Sequence, residues 1–361
     1  MGKMKAQRFW GKEDLRYEDI DEPQCSAGKI KIKPAWCGIC GTDLHEYMGG
    51  PNLCPEKEPH PITGEKVPLT FGHEFSGRIE EIGEKVSDKF KVGDRVVVQP
   101  IIYDGECGSC TEGLINCCDK NGFVGLSGWG GGLADHIVVP EYAVFKVPDN
   151  VPLDVAALTE PLAVGWHAVN LSPYKDGDSV LILGGGPIGL AVLQALRARG
   201  CKQIIVSEIS ATRKKFAKEF GAHVIIDPSK EDIVARCREL CDDKGVHVAF
   251  DAAGVQMAME QAVRCVRARG TFVNIAIWEK QAKINTNDFN FRERHYVGVA
   301  TYMGGDFDEV LAALSDGRLD MSRKMITKKI ELNEVLEEGF KTLINDRDNQ
   351  VKILVKSSGE M

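Results

Sequence analysis

The chain has 361 residues, 43% hydrophobic and 27% charged, with a formal net charge of −8. That length and balance point to two packed domains and exclude a largely disordered chain. The acidic balance excludes a nucleic-acid binder, which would carry a basic stripe. The longest apolar stretch, Val180 to Leu196, is broken by Gly184, Gly185, Gly186 and Pro187, so it reads as strand, turn and helix and not as a membrane span. The first ten residues carry no apolar core of the signal-peptide kind, so a cytoplasmic protein with no membrane partner is expected. In that reducing compartment twelve cysteines are expected to bind metal where they cluster, not to pair as disulfides.

Residues 1 to about 160 read as short strands and turns. "KIKIKPAWCGIC" alternates like a strand that ends in a loop, and "GRIEEIG" and "GDRVVVQP" are strands bounded by glycine. "ADHIVVPEYAVFKVP" adds two more. Near Asp154 the pattern changes. "DVAALTEPLAVGWHAVN" has helical spacing, and then strands and helices alternate: "SVLIL", "PIGLAVLQALRARG", "QIIVSEI", "ATRKKFAKEFGA", "HVIID", "KEDIVARCRELCDDKG", "VHVAFDAAG", a helix over "QMAMEQAVRCVRARG" and a strand "TFVNIAI". Such βαβ spacing predicts a doubly wound parallel sheet, so the fold class is α/β. The chain closes with a helix "DFDEVLAALSDG", the stretch "KMITKKIEL", a helix "NEVLEEGFKTLIND" and a strand "VKILVK".

Gly184, Gly186 and Gly189 form G-x-G-x-x-G after an apolar strand and at the start of a helix. The missing Cβ atoms let a pyrophosphate approach the backbone, and the helix N-terminus favours its charge. Gly184, Gly186, Pro187, Ile188 and Gly189 are therefore expected to bind a dinucleotide. Glu208 ends the next strand, where a carboxylate can accept from both ribose hydroxyls and selects NAD over NADP. Arg213 lies downstream and is expected to touch the same cofactor.

The cysteines and histidines suggest metal. Cys40, His73 and Glu160 have the donor chemistry of a catalytic zinc, which takes three protein ligands and keeps one position open. Spacing alone does not choose Cys40 over Cys37, or Glu160 over Glu74. A second cluster, "GECGSCTEGLINCC", lies between Gly105 and Cys118.

These stretches resemble the zinc-dependent medium-chain alcohol dehydrogenases. "GHEFSGRIEEIG" matches the signature G-H-E-x2-G-x5-G at Gly72, His73, Glu74, Gly77 and Gly83, and "CGICGTD" matches the first metal-ligand loop. The resemblance covers essentially the whole chain. Within the family it is similar to the 2,3-butanediol dehydrogenases, and next to polyol dehydrogenases of the sorbitol type. It implies a β-rich GroES-like catalytic domain over 1–160 and 301–361, and an NAD-binding Rossmann domain over 161–300. It implies Cys40, His73 and Glu160 as zinc ligands, with Glu74 as a carboxylate behind them that can exchange onto the metal. Thr42 would take the substrate hydroxyl proton, and His45 would pass it to solvent. The reaction implied is hydride transfer from a zinc-bound alkoxide to NAD, converting a small vicinal diol to a hydroxyketone; sorbitol or xylitol oxidation is the alternative. A non-catalytic relative would be expected to lose part of this set, and here it is complete.

The family's structural zinc lobe uses four cysteines spaced C-x2-C-x2-C-x7-C. Here Cys107, Cys110 and Cys118 keep their places and Asp104 stands at the first, so a second zinc is expected, with Cys117 as an alternative fourth ligand. Trp129 and the glycines at 130–132 are expected to line the substrate pocket. The resemblance also implies a homodimer, with a tetramer as the alternative, formed through the strand near Tyr296–Tyr302.

Overall fold

The computed structural model describes residues 2–278 and 280–357. The chain packs as two compact units: Met1–Glu160 with Met303–Ser315 and Ser322–Met361, and Pro161–Tyr302 with Asp316–Met321.

The first unit is built on a sheet whose central strand is Lys29–Gly38. Glu74–Ile82 pairs antiparallel along one edge of that strand, with Gly38 opposite Glu74. The C-terminal strand Lys352–Lys356 pairs antiparallel along the other edge, with Leu354 opposite Gly38. These registers gather residues from three distant parts of the sequence around the end of one strand. The core beneath them includes a run of aromatic rings, Phe9 on Phe71 at 4.6 Å and Phe71 on Phe340 at 6.3 Å between centroids.

The chain does not leave the central strand as the expected loop. Gly41–Gly49 is an α-helix capped by Cys40. The Cys40 N–H donates to Asp43 Oδ2 at 2.9 Å, which satisfies a donor that would otherwise be orphaned at the helix start.

The second unit is a parallel sheet. Its strands run in the order Val224–Ile226, Gln203–Ser207, Ser179–Leu183, Val246–Asp251, Val266–Asn274, His295–Gly298. In chain sequence that is 3-2-1-4-5-6, the Rossmann order, which reverses between the first and fourth strands. Leu181, Ile205, Ala249 and Phe272 are fully buried along neighbouring strands.

Two predicted helices differ. The helix over "QMAMEQAVRCVRARG" stops at Cys265, and Val266 begins a strand, because Val246 and Val266 pair in the sheet. The helix over "NEVLEEGFKTLIND" divides into a 3₁₀ turn, a π-helical turn Val335–Phe340 and an α-turn Lys341–Asn345. Gly339 sits in the π-turn, where a Cβ would fall 2.5 Å from Ile39 Cδ1.

Candidate metal centres and coenzyme cradle

Sheet register brings the first candidate centre together. Gly38 faces Glu74, so Cys40, two residues past the strand, meets His73, one residue before its partner. The ligand atoms of Cys40, His73 and Glu74 all lie within 4.8 Å of one another. His73 and Glu74 are buried, and Cys40 is half-buried. Gly72 has φ +104°, and a Cβ there would fall 2.7 Å from Cys37 Sγ and from the Leu133 nitrogen, so only glycine brings His73 in this close. Cys37 lies in the core behind, its thiol pushed up by burial and by the charges of Asp43 and Glu74.

Asp43 orders the histidine. Its Oδ1 lies 3.3 Å from His73 Nδ1, and both residues are buried. Neither atom makes a well-aligned hydrogen bond. Burial opposes the charged imidazole, but the Asp43 carboxylate and Cys40 outweigh it and hold His73 well above the usual histidine range. The arrangement is the one expected of a ligating histidine, which would bind metal through one ring nitrogen and direct the other to a carboxylate. The donor set fits a zinc ion.

Lys352 was not visible in the sequence as a site residue. Its Nζ donates to Glu74 Oε1 and Oε2 at 2.8 and 2.6 Å, and to the Ile39 carbonyl at 3.2 Å. Both side chains are almost fully buried, at 3% and 1% exposure. Burial works against the Lys352 charge, yet Glu74, Cys40 and Glu160 hold its pKa above the ordinary lysine value. The one signal in the sequence was a lysine inside the apolar run "VKILVK".

Glu160, expected as the third ligand, is buried in the first turn of helix Thr159–Leu171. It is near enough for Lys352 to feel its charge, but it lies outside the set whose ligand atoms meet; Glu74 takes that place. Thr42 stands on the first turn of helix Gly41–Gly49, its Oγ1 3.7 Å from Cys40 Sγ. His45 lies one turn further along and is exposed. Trp129, Gly130 and Gly131 line a separate cavity of about 290 Å³ with Arg8 and His136, and none of the candidate zinc ligands lines it.

The second cluster joins Asp104, Cys107, Cys110 and Cys118, again with ligand atoms within 4.8 Å. Cys117 is exposed and lies outside it. Cys118 Sγ accepts the N–H groups of Asp104 and Lys120, each at 3.4 Å. Cys107 Sγ accepts from Asp119 N–H at 3.5 Å, and N–H donors from Asp119 and Cys110 pull its thiol below the usual range. Asp104 Oδ1 accepts from Cys107 and Glu106 N–H at 3.0 and 2.9 Å, which holds its carboxyl well below the ordinary value. Three thiols and an ionised carboxylate, converging with N–H donors on sulfur, have the donor chemistry of a closed zinc site.

In the second unit, the glycine turn lies at the carboxyl end of Ser179–Leu183, beside the point where strand order reverses. Gly184 has φ +91°, and a Cβ on Gly189 would fall 1.9 Å from the Gly184 carbonyl. Pro187 opens the following helix, Pro187–Ala198, where its missing N–H is not needed, and Ile188 follows it. Glu208 directly follows the neighbouring strand Gln203–Ser207. Its Oε2 accepts from Gly185 N–H at 2.7 Å, and its Oε1 accepts from Ile209 and Ser210 N–H, both at 2.8 Å. Arg213 lies over the turn, with Nη1 3.8 Å from where a Gly186 Cβ would stand. The open turn and fixed carboxylate fit a dinucleotide.

Comparison with known proteins agrees with both units. Residues 26–149 match the alcohol dehydrogenase GroES-like domain, and residues 187–316 match the zinc-binding dehydrogenase domain. The chain therefore belongs to the zinc-dependent medium-chain alcohol dehydrogenases, a family of oxidoreductases that use zinc and a nicotinamide coenzyme. It is 45% identical to the (R,R)-butanediol dehydrogenase of Bacillus subtilis (strain 168), covering 98% of this chain and 99% of that protein. The crystal structure of 2R,3R-butanediol dehydrogenase from Bacillus subtilis superposes with a TM-score of 0.92 at 44% identity, over 98% of this chain and 100% of that one. A putative zinc-binding dehydrogenase from Sinorhizobium meliloti 1021, bound to NADP, superposes with a TM-score of 0.86 at 30% identity, over 99% and 100%. No helix among the described residues is long and apolar enough to cross a membrane.

Proposed function

We propose that the chain oxidises (R,R)-2,3-butanediol to acetoin with NAD, and catalyses the reverse reduction, in the cytoplasm. The observation that carries this reading is the Cys40–His73–Glu74 cluster, in a chain similar over 98% of its length to an enzyme of that activity. When bound, zinc acidifies an alcohol hydroxyl, and the nicotinamide takes up the hydride that leaves the carbinol carbon. Cys40 and His73 would hold the metal, Glu160 would complete the set, and Glu74, which lies with Cys40 and His73, could exchange onto it. Asp43 keeps His73 in the right tautomer. Thr42 Oγ1 accepts the substrate hydroxyl proton while passing its own toward the coenzyme ribose, and His45, three residues on along the same helix face, takes that proton on and releases one to solvent. Equal supplies of (2R,3R)-butanediol and sorbitol, with NADH formation as the readout, test the assignment.

Glu208 is proposed to set the preference for NAD, by accepting from the ribose hydroxyls. Glu208→Ala is expected to lower the NAD-to-NADP ratio of kcat/KM by about tenfold or more, because a hydrogen bond to a charged group is worth about 1.5–3 kcal/mol. Arg213→Ala in the same background is expected to return part of that loss, since Arg213 lies over the glycine turn and would attract an added phosphate. An unchanged ratio in Glu208→Ala would remove Glu208 from the coenzyme site.

The Asp104–Cys118 lobe is proposed to hold a structural zinc. Metal analysis is expected to find about two zinc ions per chain, and about one in Cys107→Ser/Cys110→Ser, with a lower Tm. Asp104→Ala is expected to weaken this second ion, whereas Cys117→Ser leaves it in place. The association proposed is a homodimer through the edge strand His295–Gly298, where Tyr296 is 45% and nearby Phe291 82% exposed.

A further inference from the structure

The second unit carries a cavity of about 470 Å³ that takes no part in the chemistry above. Six cationic side chains line it, Arg238, Lys244, Arg264, Arg267, Arg292 and Arg294, against one acid, Asp243. In a chain of net charge −8, that concentration is local and one-sided.

The cluster lies far from the coenzyme cradle. Val266 lines the cavity and pairs with Val246 at the amino end of the parallel sheet. The glycine turn and Asp251 lie at the carboxyl end, where Leu183 pairs with Asp251. Five residues of extended strand separate Val246 from Asp251, about 17 Å. A coenzyme on the glycine turn therefore does not account for these cations.

Among the described residues, neighbouring acids offset these charges only in part. Arg294 is fixed by three neutral carbonyls, Val266 at 2.8 Å, Asp288 at 2.7 Å and Arg264 at 3.4 Å, so its guanidinium is held in place without a paired charge. Arg264 reaches Asp288 only at 3.9 Å. Arg267 Nε is buried and has no hydrogen-bond partner. Burial first, then the nearby charge of Arg292, depress the Arg294 pKa, and Asp288 offsets only part of this. Like charges are thus gathered around an opening of ligand size.

We propose that this cavity binds a small molecule or ion bearing two or more phosphate groups. Guanidinium forks pair with phosphate oxygens two at a time, and several forks around one opening favour an anion with more than one phosphate over a single sulfate. The lining has no aromatic ring on which a nucleobase could stack, so the phosphates themselves are what the site recognises. The site is built from the second unit alone and does not depend on which alcohol the enzyme oxidises.

The test uses the zinc-loaded full chain with saturating NAD, so that the coenzyme cradle is filled. Inorganic pyrophosphate and fructose 1,6-bisphosphate are titrated at low salt by calorimetry, with zinc content measured afterwards. Sulfate at matched ionic strength serves as the control. The expected result is one site per chain, a rise in Tm with either probe beyond that with sulfate, and no competition by NAD. Arg267→Glu/Arg292→Glu is expected to weaken binding at least about tenfold, the worth of one lost charge-assisted contact, while diol oxidation stays within about twofold. Arg238→Glu, at an exposed position, gives the same direction should the double variant fold poorly. Competition by NAD, equal binding by the variants, or an effect matched by sulfate would overturn the proposal. So would a wild type that binds neither probe but whose charge-reversed variant changes oligomeric state, since the cations would then serve a subunit contact.

Discussion

Lys352→Met is expected to destabilise the first unit by about 3–5 kcal/mol and to lower zinc affinity by about 10–100-fold. The reason is the environment of Glu74. Its carboxylate is 1% exposed and takes both of its close ion-pair contacts from Lys352 Nζ. Removing the ammonium leaves a buried negative charge near the Cys40 thiol and takes away the cation that also answers the charge of Glu160. The carboxylate must then take up a proton or shift onto the metal. Glu74→Leu/Lys352→Met is expected to regain most of the lost stability without regaining activity, because a buried pair replaced by apolar groups costs little while one orphaned partner costs much. Urea midpoints and metal analysis on the three proteins check this. A single variant as stable as the wild type would show that the pair does not hold the centre together.

Thr42→Val is expected to lower kcat by about 10²–10⁴-fold, the usual contribution of a positioned proton acceptor. Valine keeps the shape of threonine and removes only the oxygen 3.7 Å from Cys40 Sγ. Zinc content and NAD affinity should therefore stay unchanged. Thr42→Ser is expected to recover most of the rate, which a purely steric role for the side chain would not predict. A loss below about tenfold in the valine variant would pass the proton step to another group.

The two-unit architecture was legible because its signals are local. Parallel strands buried on both faces read as apolar runs, and "SVLIL" followed by a glycine turn needs no distant partner to be recognised. Cys40, His73 and the thiols of the lobe were legible through their donor chemistry and motif. Lys352 was not, because its role depends on pairing across 278 positions of sequence. The burial of Lys352, Ile353, Leu354 and Val355 in succession also hides any alternation that would mark an inward lysine. That Glu74 meets Cys40 and His73 is of the same kind, since it follows from Glu74 facing Gly38 in the sheet. The helix Gly41–Gly49 read as a loop because its capping box uses a cysteine where serine or threonine gives the recognisable signal. "VRARG" read as helix because its arginines suit one, and sheet pairing with Val246–Asp251 decided otherwise.

The measurement that bears most directly on the account is the initial rate of NADH formation by the zinc-loaded enzyme, with (2R,3R)-butanediol and sorbitol at equal concentration. Butanediol is expected far ahead, with activity lost on zinc removal and restored on its return. Sorbitol ahead, or no NADH from either alcohol with zinc and NAD both bound, would contradict it.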